Sequence, residues 1–153
     1  MKKYLLYVND IAIRNVDEGG DPFGAIVVCD GEIIGEGVNE MHMKPDVSLH
    51  AEMNAIREAQ QHLKTTDLSG CTLYASGHPC PMCLGAIGFS NIKDVVYFNS
   101  LEDAEKVGLG LSKDIYAYIK EDDNKISLSM KQEKIVSNDP MLYYATKSLA
   151  QED

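Results

Sequence analysis

Apolar residues recur at helical spacing from the start of the chain. Leu5, Val8, Ala12 and Val16 share one stripe, which predicts an amphipathic helix over residues 2–18. Glu18-Gly19-Gly20-Asp21-Pro22 ends it. Phe23 to Cys29 is then apolar and β-branched, and Glu32 to Val38 is a second such run. Asp30-Gly31 between them is a two-residue turn, so an antiparallel hairpin is expected. A polar loop through Lys44-Pro45-Asp46 leads to a helix from Leu49 to Leu63, with Ser48 as N-cap and Met53, Ile56 and Ala59 turned inward. Cys71 to Ala75 reads as a short strand, Gly77-His78-Pro79 as a turn, and Cys80 to Phe89 as a further helix. Val95 to Phe98 is a buried strand, Leu101 to Val107 a short helix, and Ile126 to Met130 a weakly alternating strand. Asp139-Pro140 supplies an N-cap and a first-turn proline for a last helix through Leu149. The order αββαβαβ, then α, predicts an α/β layered domain in which helices cover a mixed sheet.

At 153 residues, with no repeat, low-complexity tract or linker, residues 1–153 read as a single domain whose core needs no covalent staple. The first residues meet Asn9 and Asp10 before an apolar h-region develops, which argues against a secretory signal. No apolar run approaches the ~18 residues of a membrane span. A cytoplasmic setting with reduced thiols is expected, where paired cysteines tend to bind metal or do chemistry. The 14 Lys+Arg against 24 Asp+Glu give a net charge of −10, and Arg14 and Arg57 are the only arginines. That balance favours solubility and counts against nucleic acid as partner, because phosphate binders carry Lys/Arg clusters.

Two segments carry chemistry: His50-Ala51-Glu52 and Pro79-Cys80-Pro81-Met82-Cys83. Cys80 and Cys83 stand i,i+3 in the first turn of a helix, so both sulfurs project from one face, and the helix N-terminus favours the thiolate form. His50 adds a nitrogen ligand from the start of the other helix. Three protein ligands leave one tetrahedral position open, the arrangement of a catalytic zinc. Glu52, two positions beyond His50, can point into the same site without ligating, take a proton from the attacking water and deliver it to a substrate. Three blander readings compete. Cys80 and Cys83 could be a thioredoxin-like redox pair, which leaves His50 and Glu52 unexplained. A structural zinc could be closed by Cys29 or Cys71, but both sit in apolar strand stretches as ordinary core cysteines. Glu52 could simply be a favourable charge in a first turn.

The pattern H-x-E…P-C-x-x-C marks zinc deaminases. The chain resembles the cytidine/deoxycytidylate deaminase superfamily over nearly its whole length. The resemblance is carried by Pro22-Phe23-Gly24-Ala25, the Asp30-Gly31 hairpin, Gly37-Val38-Asn39, His50-Ala51-Glu52 with Ala55-Ile56, and Pro79-Cys80-Pro81-Met82-Cys83 with Gly85-Ala86-Ile87. Within the superfamily it is most similar to small bacterial guanine deaminases, with tRNA adenosine deaminases next. The resemblance implies a three-layer α/β/α domain with a five-stranded mixed sheet, a homodimer, and hydrolytic deamination of a free purine-type base, guanine first. It implies one Zn2+ per chain on His50, Cys80 and Cys83, with Glu52 as proton shuttle. Asn39 would hydrogen-bond the base, Phe23 would stack near it, and Ala51 would join the substrate contacts. The C-terminal segment, residues 139–153, would cross to the partner and close its site, with Tyr143 and Tyr144 as the candidate aromatics.

Two departures stand out. Family members commonly have Glu directly before the Pro-Cys, where this chain has His78, which leaves tuning of the site, a substrate contact or a surface turn open. The carboxylate that holds the guanine edge falls on Asp114, in Gly108 to Asp114, only with a shifted alignment. The enzyme alternatives are a tRNA adenosine deaminase, or a deaminase of cytosine, a nucleoside or a triazine. The alternative from another class is a structural zinc-binding module.

Overall fold

The structure, a computed structural model, describes residues 1–121 and 126–152, the last five of these by backbone alone. Helix α1 (Lys2–Asp17) is followed by the hairpin β1 (Gly24–Cys29) and β2 (Glu32–Val38). Then come α2 (Ala51–Leu63), β3 (Thr72–Gly77), α3 (Pro81–Phe89), β4 (Asp94–Asn99), α4 (Leu101–Lys106), α5 (Leu111–Ile119) and α6 (Pro140–Glu152). The sheet order is β2-β1-β3-β4. β1 is antiparallel to both neighbours, whereas β3 and β4 are parallel across α3.

Both faces of β1 are covered, which is why it reads as an unbroken apolar run, whereas β4, expected as a buried strand, has no buried residue and leaves Tyr97 and Phe98 44% and 59% exposed at the sheet edge. Ala25 and Val27 pack under α2 with Ala55, Ile56, Ala59 and Leu73. Ile26 and Val28 face α1 with Val8 and Tyr74. The hairpin turns as its residues dictate: Asp30 and Gly31 both take positive φ, the conformation a two-residue turn needs. α2 lies directly on β2 because Gly35 and Gly37 face it. A Cβ on either would overlap α2 backbone, at Ala55 O and Ala51 O respectively, so only glycine admits this approach.

The structure corrects several expectations. The sheet has four strands rather than five, and Ile126 to Met130 forms no strand among the described residues. The cap of α2 is His50 rather than Ser48. Ser48 instead turns on Asp46, with both its amide and its hydroxyl on Oδ1 at 2.8 and 2.7 Å. The stripe of α1 continues from Val8, Ile11 and Ala12 to Asn15, leaving Val16 about half exposed. Residues 111–119, for which no element is expected, form α5. Cys29 and Cys71 are not separate core thiols. They end β1 and precede β3 as cross-strand neighbours, 4.4 Å apart at Cα, and form a disulfide. Asp139 does cap α6, accepting from Met141 N at 2.8 Å.

No described helix is long and apolar enough to cross a membrane.

Candidate active site and metal centre

Two helix N-termini converge at one end of the domain. His50 caps α2 and Cys80 caps α3, both in extended backbone, and the Cys80 sulfur accepts from Cys83 N at 3.3 Å. Pro81 at the first helical position fixes that turn, since its missing N–H is one a helix start leaves unpaired anyway. The three candidate ligand atoms form a small triangle. Cys80 Sγ to Cys83 Sγ is 3.4 Å, His50 Nδ1 to Cys80 Sγ is 3.4 Å, and His50 Nδ1 to Cys83 Sγ is 3.6 Å. A tetrahedral zinc with Zn–S of ~2.3 Å and Zn–N of ~2.0 Å would require separations of about 3.8 and 3.5 Å. The soft-sulfur and imidazole donor set and the triangle therefore both fit zinc.

Electrostatics favour the same outcome. The Cys80 thiol is drawn down to about 4 chiefly by its hydrogen bond with Cys83, with His50 adding a second. Cys83 is pushed upward by the same hydrogen bond and by burial. The His50 ring is raised chiefly by its hydrogen bond to Cys80. Glu52 lies in the first turn of α2, only 5% exposed, with Oε2 3.1 Å from Cys83 Sγ. Burial raises its pKa, against the opposing pull of the Cys83 hydrogen bond. A carboxyl near the metal position that readily holds a proton suits general acid–base work.

Among the described residues, the potential metal cluster comprises His50, Cys80 and Cys83 and has no fourth member. Cys29 and Cys71 are bonded to each other at the far end of β1 and β3. The closed structural site therefore loses its proposed fourth ligand.

The model of the cytidine and deoxycytidylate deaminase zinc-binding region matches residues 2–99. The chain belongs to that family. Guanine deaminase of Bacillus subtilis is 46% identical over 99 residues, 64% of this chain and 64% of that protein. A tRNA-specific adenosine deaminase of Aquifex aeolicus is 43% identical over 86 residues, 56% of this chain and 57% of its own length. The chain thus matches somewhat less than two thirds of these relatives. The X-ray structure of Bacillus subtilis guanine deaminase superposes with a TM-score of 0.83 at 33% identity, covering 99% of this chain and 94% of that one.

The other candidate residues of this deaminase-family chain fall in different places. Asn39, just past β2, is 2% exposed, and its Oδ1 accepts from Met41 N at 3.0 Å. Phe23 is half-buried and lies beside Gly77, where a Cβ would come within 3.1 Å of its ring. Ala51 is buried between His50 and Glu52. Asp114 sits in the first turn of α5. Tyr143 and Tyr144 are exposed on α6, at 63% and 72%, and are not brought to the site.

His78 does not join the metal triangle. Its ring lies between Tyr97 and Tyr116, with centroids 4.8 and 5.4 Å away. Its backbone N–H donates to Asn99 O at 2.8 Å. Tyr116, which sequence reasoning missed, donates its hydroxyl to Pro79 O at 2.6 Å and so ties α5 to the turn before Cys80. Burial, then the negative charges of Cys80, Cys83 and Glu52, pushes its pKa up to about 12, which keeps that donor protonated. The signal for it was the run Ile115, Tyr116, Ile119 at helical spacing, hidden behind Gly108 and Gly110. A second missed group, Arg57, donates to Asn54 Oδ1 and Ser48 Oγ, each at 2.9 Å. Asn54 in turn holds Val38 O and Glu40 Oε1, so α2 organises the loop that delivers His50.

Proposed function

We propose that the protein is a zinc-dependent hydrolytic deaminase of a free purine-type base, converting guanine and water to xanthine and ammonia. The observation that carries the reaction is the buried Glu52 carboxyl set against the His50, Cys80 and Cys83 triangle. A structural zinc-binding module has no use for such a group.

His50, Cys80 and Cys83 would hold the zinc, which lowers the pKa of a bound water toward neutrality and polarises it for attack. Glu52 accepts one proton of the attacking water as the water oxygen bonds to the ring carbon bearing the exocyclic amine, and passes it to the ring nitrogen. Glu52 then takes the remaining proton from the new hydroxyl and delivers it to the amine. The carbon–nitrogen bond breaks, ammonia leaves, and the base keeps the new oxygen as a keto group. The Nδ2 donor of Asn39 meets an acceptor on the base, Phe23 stacks near the ring, Ala51 lines the floor and Asp114 takes the guanine edge.

Guanine is preferred over a tRNA substrate on two grounds. The named guanine deaminase matches through the C-terminal segment in structure, and the charge of −10 leaves little to hold an anticodon stem. Of the two arginines, Arg57 is already engaged with Asn54 and Ser48. A homodimer belongs to the same reading. α3 has no charged residue on any side, yet only Cys83 and Ile87 of it are buried, and Phe89 is 91% exposed. The C-terminal helix then closes the partner's site, which suits the exposure of Leu142, Tyr143 and Tyr144 on α6.

Ammonia release across guanine, adenine, cytosine, isocytosine, their nucleosides and a tRNA stem-loop tests the proposal. Turnover of guanine ahead of the rest is expected. Reaction of the stem-loop alone would replace the substrate class.

A further inference from the structure

The buried polar and charged residues among those described are Asn15, Asn39, Glu52, Ser76 and Ser90. Glu52 and Asn39 belong to the proposed reaction, and the Ser90 hydroxyl returns to its own helix at Ile87 O. Asn15 and Ser76 remain unexplained. Asn15 lies on the inner stripe of α1, one turn beyond Ile11 and Ala12, where an apolar side chain would pack without the cost of desolvating an amide. Asparagine is also a weaker helix former than the leucine or alanine such a stripe favours. A buried side chain that is poor for both the helix and the core needs another reason.

Its hydrogen bonds supply one. Asn15 Nδ2 donates to Asp21 O at 2.8 Å and to Asn39 O at 2.9 Å, so one nitrogen joins the segment entering β1 to the segment leaving β2. From the opposite side, Ser76 of β3 accepts from Gly24 N at 3.0 Å and donates to Pro22 O at 3.3 Å. Asn39 N donates to Phe23 O at 3.2 Å, which links the two segments to each other. Residues 21–24 and residue 39 are therefore fixed from α1, from β3 and by their own contact. Close packing protects the clasp: a Cβ at Gly20 would come within 2.5 Å of Asn15 Nδ2 and 2.6 Å of the His42 ring.

We infer that Asn15, seconded by Ser76, is a positioning residue for substrate binding: it sets the spacing between Phe23 and Asn39, the two groups proposed to receive the base. This rests on the free-base reading above. Neither residue stands among the metal ligands or meets the reacting atoms, so the chemistry at Glu52 should be spared while the base is held less well. Small misplacements of positioning groups carry disproportionate effects on rate and binding.

Asn15→Asp tests it, because the carboxylate keeps the shape but offers no N–H to either carbonyl. Ser76→Ala removes the second set of contacts and serves should Asn15→Asp fold poorly. Val8→Ala, on the same buried stripe of α1, is the control for a destabilised helix. Zinc content, KM and kcat for guanine, and amide exchange at Gly24 and Asn39 are read on each. One zinc per chain, a KM raised ~10-fold with kcat much less affected, and faster exchange at both amides are expected for Asn15→Asp. Ser76→Ala should follow in the same direction, and Val8→Ala should melt earlier with KM unchanged. Unchanged KM and exchange in both clasp variants, or an equal rise in KM for Val8→Ala, would overturn the inference. A wild-type protein that deaminates no free base would overturn the substrate reading instead, and exchange at Gly24 and Asn39 would still decide the clasp.

Discussion

At the scale of single residues, Glu52 carries the most specific expectation. Its carboxyl is buried and touches Cys83, so Glu52→Gln conserves volume and hydrogen bonding near the triangle but cannot relay a proton. Zinc should remain at one per chain while turnover falls by ~10²–10⁴, the usual contribution of a general acid–base group. Metal analysis beside a rate assay checks this, and a zinc-loaded variant above about a tenth of the wild-type rate would remove Glu52 from the role. The four cysteines separate cleanly. Cys80→Ala and Cys83→Ala should lose zinc and stability together, because metal binding contributes to folding. Cys29→Ala and Cys71→Ala should keep zinc, since their sulfurs pair with each other elsewhere, while losing on the order of 2–4 kcal/mol of stability with the cross-link. Zinc stoichiometry and thermal melting of the four variants distinguish the pairs.

At the scale of elements, the centre depends on how closely α2 sits on β2. Gly37 faces Ala51 O and Ala55 N, the first turn of the helix that carries His50 and Glu52. Backbone cannot move aside as a flexible side chain would. Gly37→Ala should therefore push α2 off the sheet, cost about 1–3 kcal/mol by overpacking, and weaken zinc binding through His50. Denaturant midpoints and a competitive zinc titration measure the two effects, and tight zinc binding at full stability would show that the close approach is dispensable. α5 is the element whose importance the periodicity concealed. It follows two glycines, and once folded it brings Tyr116 to Pro79, the turn before Cys80.

At the scale of the whole molecule, two surfaces remain uncovered in one chain: the apolar outer side of α3 and the exposed Leu142, Tyr143 and Tyr144 of α6. A lid over a small base excludes water and strengthens the few hydrogen bonds the base can make. Truncation before Asp139 should keep zinc bound, raise KM and lower kcat for a free base. If the proposed exchange of the C-terminal helix between subunits holds, mixing truncated chains with full-length Glu52→Gln chains should restore part of the activity, because a mixed dimer would have one site with both a competent Glu52 and an intact lid. Unchanged kinetics on truncation would rule out the lid and reopen the larger-substrate reading.

Local spacing determined what local physics controls. The period of α1, the Asp30-Gly31 turn, the i,i+3 cysteines and the His50–Glu52 pair are set within a few residues, so the hairpin and the metal motif were legible before any fold was known. Features that depend on distant segments were not. Cys29 and Cys71 each read as a core thiol, and became partners through the β1–β3 register. Ser48 read as a helix cap until Asp46 and Arg57 claimed its hydroxyl. The resemblance implied a fifth strand, but the sheet ends at β4 among the described residues. Asn15 lay outside the stripe read through Val16, and only the tertiary structure turned it inward and placed two carbonyls from other segments on its amide. Hydrogen-bond partners across long stretches of chain are chosen by packing, which spacing along the sequence does not encode.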